Sequence, residues 1–202
     1  MVVSFRHLPG FLPKESQAVL LREIRQVLVQ APLFAPTMPR TGQPFGVIMS
    51  NCGPLGWVSD AAGGYRYQPA HPVTEQAWPD MPAVLLKVWR DVTKYHVPPE
   101  ACLINYYRPG AKMGSHVDRD EADKRAPVLS ISLGDTAVFH VGGTTRTSPK
   151  ERVQLASGDV LVLEGPSRFA YHGIDRVIAG SSALLAEGGR INLTLRRVTS
   201  AA

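Results

Sequence analysis

The sequence predicts an α+β fold in which N-terminal helices back an antiparallel β core, a sandwich or barrel of jelly-roll type. Helical periodicity is confined to the first hundred residues. Beyond residue 101 it gives way to short strand-like runs at 101–107, 114–118, 127–133, 136–141, 151–155, 159–163, 168–172 and 190–197. Turn residues separate them at Pro109-Gly, Gly134-Asp, Gly142-Gly, Ser157-Gly-Asp and Gly188-Gly. With 202 residues, 44% hydrophobic and 19% charged, and no linker between the two parts, the chain reads as one domain, 1–202. Residues 1–100 form its helical buttress with a long loop, and 101–198 form its β core.

The first helix spans 14–30. Leu20, Leu21, Ile24, Val27 and Leu28 make one apolar stripe, Pro13 suits its start and Pro32 stops it. Residues 32–81 are rich in Pro, Gly, Thr and Ser, with one strand at Phe45–Cys52. A loop follows, from Gly53 to Pro69, that mixes glycines with Trp57, Tyr65 and Tyr67. Such a loop serves as a lid or a stacking platform for a planar molecule, or simply packs on the core. The second helix, 82–96, buries Val84, Leu85, Val88, Trp89, Val92 and Tyr95 and ends before Pro98-Pro99.

Composition narrows the function. No apolar run approaches the ~20 residues that cross a bilayer, so no membrane partner is expected. The N-terminus lacks the basic-then-apolar order of a signal peptide. Cys52 and Cys102 are too few for a disulfide framework and fit a reduced, cytoplasmic setting. A monomer is the default expectation. The net charge of +5 suits a phosphate-bearing partner, although no Lys or Arg run marks where it would bind.

Chemistry concentrates around His116-Val117-Asp118. Alternate residues of an extended strand share a face, so His116 and Asp118 can reach one metal ion. His-x-Asp alone is a weak signal, and a surface histidine beside a carboxylate is its ordinary meaning. His172, placed at the end of a strand 168–172, supplies a third ligand. Two histidines and a carboxylate leave one side of an ion open, as in non-haem Fe(II) oxygenases. The last strand alternates without exception: Arg190, Asn192, Thr194 and Arg196 on one face, Ile191, Leu193 and Leu195 on the other. It is either an edge strand with a solvated face or the wall of a pocket for a small dicarboxylic acid, one arginine per carboxylate. Asn105 and Tyr107 add hydrogen-bonding groups nearby.

The ordered set Asn105-x-Tyr107, His116-x-Asp118-x-Asp120, His172 and Arg190-x-Asn192-x-Thr194-x-Arg196 closely resembles the AlkB family of Fe(II)- and 2-oxoglutarate-dependent dioxygenases, in particular its bacterial alkylation-repair members. The resemblance extends from about residue 45 to 197, through Asn51-Cys-Gly-x-Leu-Gly-Trp57, Trp78-Pro-x-Met-Pro, Arg125–Gly134 and Gly158-Asp-Val. It implies a double-stranded β-helix (jelly-roll) core and roles residue by residue. His116, Asp118 and His172 would bind Fe(II). Asn105, Tyr107, Arg190, Asn192, Thr194 and Arg196 would hold 2-oxoglutarate, with Arg190 at its distal carboxylate and Arg196 near the metal end. Trp57, Tyr65, Arg66 and Tyr67 would belong to a nucleotide-recognition loop, one residue longer here between Trp57 and Tyr65. His172 would stack on the extruded base, and Asp120 and Arg146 would contact the base or its surroundings. For Asp120 the ordinary alternative is a surface carboxylate paired with Arg119 or Arg125; for Arg146 it is a solvated loop charge.

The activity so implied is oxidative demethylation of N1-methyladenine and N3-methylcytosine in DNA, with RNA a further substrate. Fe(II) is the cofactor; 2-oxoglutarate and O₂ are co-substrates, and succinate, CO₂ and formaldehyde are products. A dioxygenase acting on a protein or small molecule is the alternative. A binding module that has lost turnover is another, and the intact set of ligands and arginines speaks against it.

Overall fold

The computed structural model describes residues 3–200. In chain order the elements are β1 (Arg6–Leu8), α1 (Lys14–Gln30), β2 (Ile48–Cys52), β3 (Gly56–Asp60), β4 (Gly64–Gln68), α2 (Ala83–Thr93), β5 (Ala101–Tyr107), β6 (Met113–His116), β7 (Val128–Gly134), β8 (Thr136–Val141), β9 (Glu151–Leu155), β10 (Val160–Leu163), a 3₁₀ turn (Gly165–Phe169), β11 (His172–Ile178) and β12 (Arg190–Arg196). A six-stranded sheet runs β1-β10-β7-β12-β5-β2, and a four-stranded sheet runs β6-β11-β8-β9. All pairings between these strands are antiparallel. The two sheets face each other as a double-stranded β-helix.

Two cores follow from the alternation of side chains. On the outside of the large sheet, α1 buries Leu20, Leu21, Ile24 and Val27, and α2 buries Leu85, Val88, Trp89 and Val92. They pack against Ile104, Leu129, Ile131, Ile191, Leu193 and Leu195 of the sheet. This is the predicted buttress. Between the sheets, Tyr107, Val128, Leu161 and Leu163 meet Ala137, Phe139, Val141, Ile174 and Val177. Strand β12 lies at the centre of the large sheet, between β7 and β5. Its apolar face therefore feeds the helices, and its polar face is driven inward.

Beyond the shorter limits of α2, which ends at Thr93 and not at 96, and of β2, which begins at Ile48 and not at Phe45, four local features depart from the sequence reading. The stretch read as a loop around Trp57 is the hairpin β3–β4. Its register sets Trp57 opposite Tyr67 and Ser59 opposite Tyr65. Asp60 Oδ1 ties the turn by accepting from the amides of Ala62 (2.9 Å) and Gly63 (2.6 Å), and Gly64 supplies a left-handed φ of 66°. His172 opens a strand instead of closing one. Pro166 and the Ser167 hydroxyl, which accepts from the Glu164 amide at 3.0 Å, turn 165–169 into a 3₁₀ helix. Strand β6 stops at His116, so Asp118 lies just past it. Strand β1, with three residues and no apolar alternation, had no sequence signal.

Candidate metal centre and anion pocket

A cavity of ≈ 670 Å³ opens between the sheets. His116 stands at the end of β6 and is paired in register with His172 at the start of β11. Asp118 reaches the same point from the following loop. One ligand atom from each of the three lies within 4.8 Å of the others. The His116 and His172 Nε2 atoms are 3.7 and 3.8 Å from the Asp118 carboxylate. Each histidine offers that nitrogen because its Nδ1 lies against a backbone carbonyl, Gly114 at 3.0 Å and Ala170 at 2.9 Å. This is how metal-binding histidines are oriented. Burial lowers the His172 pKa to about 4, leaving the ring neutral. Burial alone would raise the Asp118 carboxyl. The Arg196 guanidinium, 2.8 Å away, leads the charges that outweigh that and hold it well below the usual carboxylate range. A neutral imidazole and an ionised carboxylate are what a divalent cation needs.

The floor of the cavity is the β12–β5 pair. Its register sets Arg190 opposite Tyr107 and Asn192 opposite Asn105, and all four line the cavity with Thr194 and Arg196. The strand is thus no solvated edge: Arg190 is 1% exposed and Arg196 7%. The Arg190 Nη2 donates to Ser132 Oγ (2.9 Å), and its guanidinium lies 5.4 Å from the Tyr107 ring centre. Its Nε and Nη1 are buried with no hydrogen-bond partner among the described residues. Desolvation lowers its pKa to about 10 and raises that of Tyr107 to about 12. A buried cation with two idle donors is costly unless an anion completes it. A carboxylate fits that gap. Asn192 donates to Ser130 Oγ (2.6 Å) and accepts from Thr194 Oγ1 (2.8 Å), so the polar row is pre-set. The donor set thus fits both a divalent cation and a small dicarboxylate.

Arg196 lies at the metal end. Its Nη2 is 2.8 Å from Asp118 Oδ1, and its Nη1 donates to Glu121 Oε1 and Tyr67 Oη, each at 3.0 Å. Tyr67 in turn donates to Glu121 (2.6 Å), so Tyr67 is tied to this network instead of the open cavity. Trp57 and Tyr65 remain at the mouth, stacked 5.7 Å apart with planes 19° from parallel, Tyr65 being 53% exposed. Phe45 meets Trp57 edge-on, and the Trp57 indole donates to Asp120 Oδ2 (2.7 Å). Asp120 is therefore paired with neither Arg119 nor Arg125. Arg146 reaches the cavity wall, donates to the Ser115 carbonyl (3.1 Å) and lies 5.2 Å from the Tyr171 ring centre. Arg66 is not brought into the group. It points off the hairpin to Asp60 (2.8 Å) and Gln68 (3.0 Å). The His172 ring lies against Phe139 and its side chain is 10% exposed, whereas that of His116 is 39% exposed. Of the two rings, that of His116 is thus the more open to solvent.

Two residues were missed, Glu121 and Arg168. Arg168 donates to Glu121 Oε2 (2.9 Å) and to the carbonyls of Asp118 (2.8 Å) and Ala126 (2.9 Å), and so clamps the loop that carries Asp118. Both are buried. The sequence signal for either was only a charge beside a ligand. Arg168→Met leaves Glu121 Oε2 and the carbonyls of Asp118 and Ala126 without their buried donor, although Arg196 still pairs Glu121 Oε1, and the lost hydrogen bonds cost about 3 kcal/mol. Thermal unfolding should record a fall in Tm of roughly 6–12 °C. An unchanged Tm would show that the clamp is not needed.

The model of the 2OG-Fe(II) oxygenase superfamily matches residues 4–196. The chain is 51% identical over 201 residues to an alpha-ketoglutarate-dependent dioxygenase AlkB homolog of Caulobacter vibrioides, covering 100% of this chain and 90% of that protein. It is 43% identical over 182 residues to alpha-ketoglutarate-dependent dioxygenase AlkB of Escherichia coli, covering 88% and 83%. Among solved structures it is similar to OsALKBH1, with a TM-score of 0.81 at 27% identity over 98% of this chain and 99% of that one.

Proposed function

Because the chain belongs to the AlkB family of the 2OG-Fe(II) oxygenase superfamily, and so is an Fe(II)- and 2-oxoglutarate-dependent dioxygenase, we propose that it demethylates N-alkylated bases in DNA. N1-methyladenine and N3-methylcytosine are its substrates in this reading, with RNA as a second polymer. It acts as a cytoplasmic monomer. The observation that carries the reading is the cavity itself. One wall holds His116, Asp118 and His172, and the floor holds a buried arginine with two idle donors.

The protein's part is binding and orientation. His116, Asp118 and His172 would hold Fe(II), and with 2-oxoglutarate and O₂ the bound ion would supply the oxidising power needed at an N-methyl carbon. Arg190 takes the distal carboxylate of 2-oxoglutarate, with Asn105, Tyr107, Asn192 and Thr194 beside it. Arg196 stays near the metal-end carboxylate and keeps Asp118 aimed. The Trp57–Tyr65 stack and the open face of His116 receive a base that has left its helix. A methyl on the Watson–Crick edge weakens pairing and lowers the cost of that extrusion. The hydroxymethyl product then collapses to formaldehyde and the unmodified base. Asp120 must exchange its Trp57 partner to meet a cationic base, and Arg146 is placed to meet a phosphate.

The test is mass spectrometry of a short single-stranded oligonucleotide carrying one N1-methyladenine, incubated with Fe(II), ascorbate and 2-oxoglutarate. Loss of one methyl mass only in the complete mixture is the expected result. Succinate without methyl loss would keep the dioxygenase and move its substrate to another class, a protein or small molecule included. Trp57→Ala should weaken oligonucleotide binding by at least about five-fold, the lower end for one stacked base, and leave 2-oxoglutarate binding intact. Equal loss of both would make Trp57 a core residue.

A further inference from the structure

Behind the metal ligands, a chain of four polar side chains crosses the small sheet, one from each strand. Ser115 Oγ on β6 lies 2.8 Å from His140 Nε2 on β8. His140 Nδ1 lies 2.7 Å from Asp175 Oδ1 on β11, and Asp175 Oδ2 accepts from Arg152 Nε on β9 at 2.7 Å. With Nδ1 carrying the proton toward Asp175, Nε2 accepts from the serine hydroxyl. His140 is 4% exposed.

The backbone is shaped to build this chain. Pairing of β6 with β11 shifts register between His172 and Ile174, so Gly114 and Ser115 stand opposite Gly173 alone. Pairing of β11 with β8 shifts between Ile174 and Arg176, which leaves Asp175 as the extra residue. Bulges re-aim side chains, and these two turn Ser115 and Asp175 toward His140. Gly173 lets the imidazole cross β11. A Cβ there would come within 2.9 Å of His140 Cε1 and 2.5 Å of the Met113 carbonyl oxygen. Ser, His and Asp at such spacing also activate serine nucleophiles. Here His140, Asp175 and Arg152 stay off the cavity lining, and the set backs the wall instead of opening into it.

Strand β6 is the four-residue edge of its sheet, joined to it only through β11. The residue after Ser115 is His116, and the residue before Gly173 is His172. We propose that the Ser115–His140–Asp175–Arg152 chain is a brace that sets the His116–His172 spacing, which makes Ser115 and His140 positioning residues for the metal. The brace rests on the metal reading above. It also holds the Ser115 carbonyl, and through it Arg146, in place.

The test titrates Mn(II) into chelator-stripped full-length protein and follows the free ion by electron paramagnetic resonance. Wild type should bind one ion. Ser115→Ala and His140→Phe should each raise the Kd about ten-fold, the lower end for residues behind metal ligands. Ser115→Thr, which keeps the hydroxyl, should restore it. Thermal unfolding of the metal-free variants is run beside the titration, which is held far below their Tm; should one not fold, Asp175→Asn reads the same chain from its more exposed end. A wild-type Kd in the variants that fold, or a weakening that Ser115→Thr does not repair, overturns the brace. Absence of Mn(II) binding by wild type overturns the metal reading and the brace with it.

Discussion

His116→Ala should yield a folded protein that releases no formaldehyde from methylated oligonucleotide, a loss of at least about a hundred-fold. That is the upper end for residues lying behind metal ligands, and His116 is itself a ligand in this reading. The two groups that remain, His172 and Asp118, leave the ion without the third corner of the triad. The fold has little to lose. The His116 side chain is 39% exposed, and among the described residues its hydrogen bond is to the Gly114 carbonyl of its own strand. Surface substitutions of this kind usually stay within about 0.5 kcal/mol, so the Tm of the metal-free protein should hold. Formaldehyde release with purified protein and added Fe(II), alongside thermal unfolding without metal, checks both halves. Near-normal release would remove His116 from the metal centre.

That the convergence of His116, Asp118 and His172 was legible at all reflects how few ways a chain has to bring three such side chains together. His116 and Asp118 were read as alternate residues of one strand, and His172 as a strand end. Both local premises were wrong by a few residues: β6 ends at His116, and β11 begins at His172. The convergence survived because it rests on strand pairing, which sets His116 opposite His172, and not on the strands' limits. The polar face of β12 was equally legible, since period two forces every second side chain into one layer. Which layer was not. The choice between solvated edge and pocket floor depends on β12 being central, and long-range pairing leaves no mark on a single strand. Ser130 and Ser132 on β7 hint at it, as small hydroxyl partners spaced to meet Asn192 and Arg190. The hairpin β3–β4 was hidden because its glycines and Asp60 read as loop composition, while the bonds that order it run from Asp60 to its own turn. The helices were the plainest features because their signal is local: α1 has the expected limits, 14–30.

Arg190→Met separates binding from stability more sharply than any other substitution. In the protein without co-substrate, Arg190 is a buried charge held by one hydrogen bond, to Ser132, with Nε and Nη1 idle. Replacing such a charge by an apolar side chain of similar length removes its desolvation cost, and buried ionic groups exchanged this way are often neutral or stabilising by about 1–4 kcal/mol. The stranded Ser132 hydroxyl returns about 1 kcal/mol of that. The Tm without 2-oxoglutarate should therefore hold or rise. Binding should move the other way. A carboxylate paired to a buried guanidinium contributes on the order of 2–4 kcal/mol, so the Kd for 2-oxoglutarate should rise about thirty-fold to about a thousand-fold. Wild type with metal should gain roughly 2.7 kcal/mol of stability at a hundred times its Kd; the variant at the same concentration should gain almost none. Arg196 offers no such separation. Its removal strips partners from Asp118, Glu121 and Tyr67 together, so Arg196→Ala should raise the 2-oxoglutarate requirement and lower the Tm at once. A matched pair of thermal-shift titrations decides the matter. An Arg190→Met protein that melts lower than wild type yet keeps the full shift with 2-oxoglutarate would make Arg190 a structural cation, and the anion pocket would lie elsewhere.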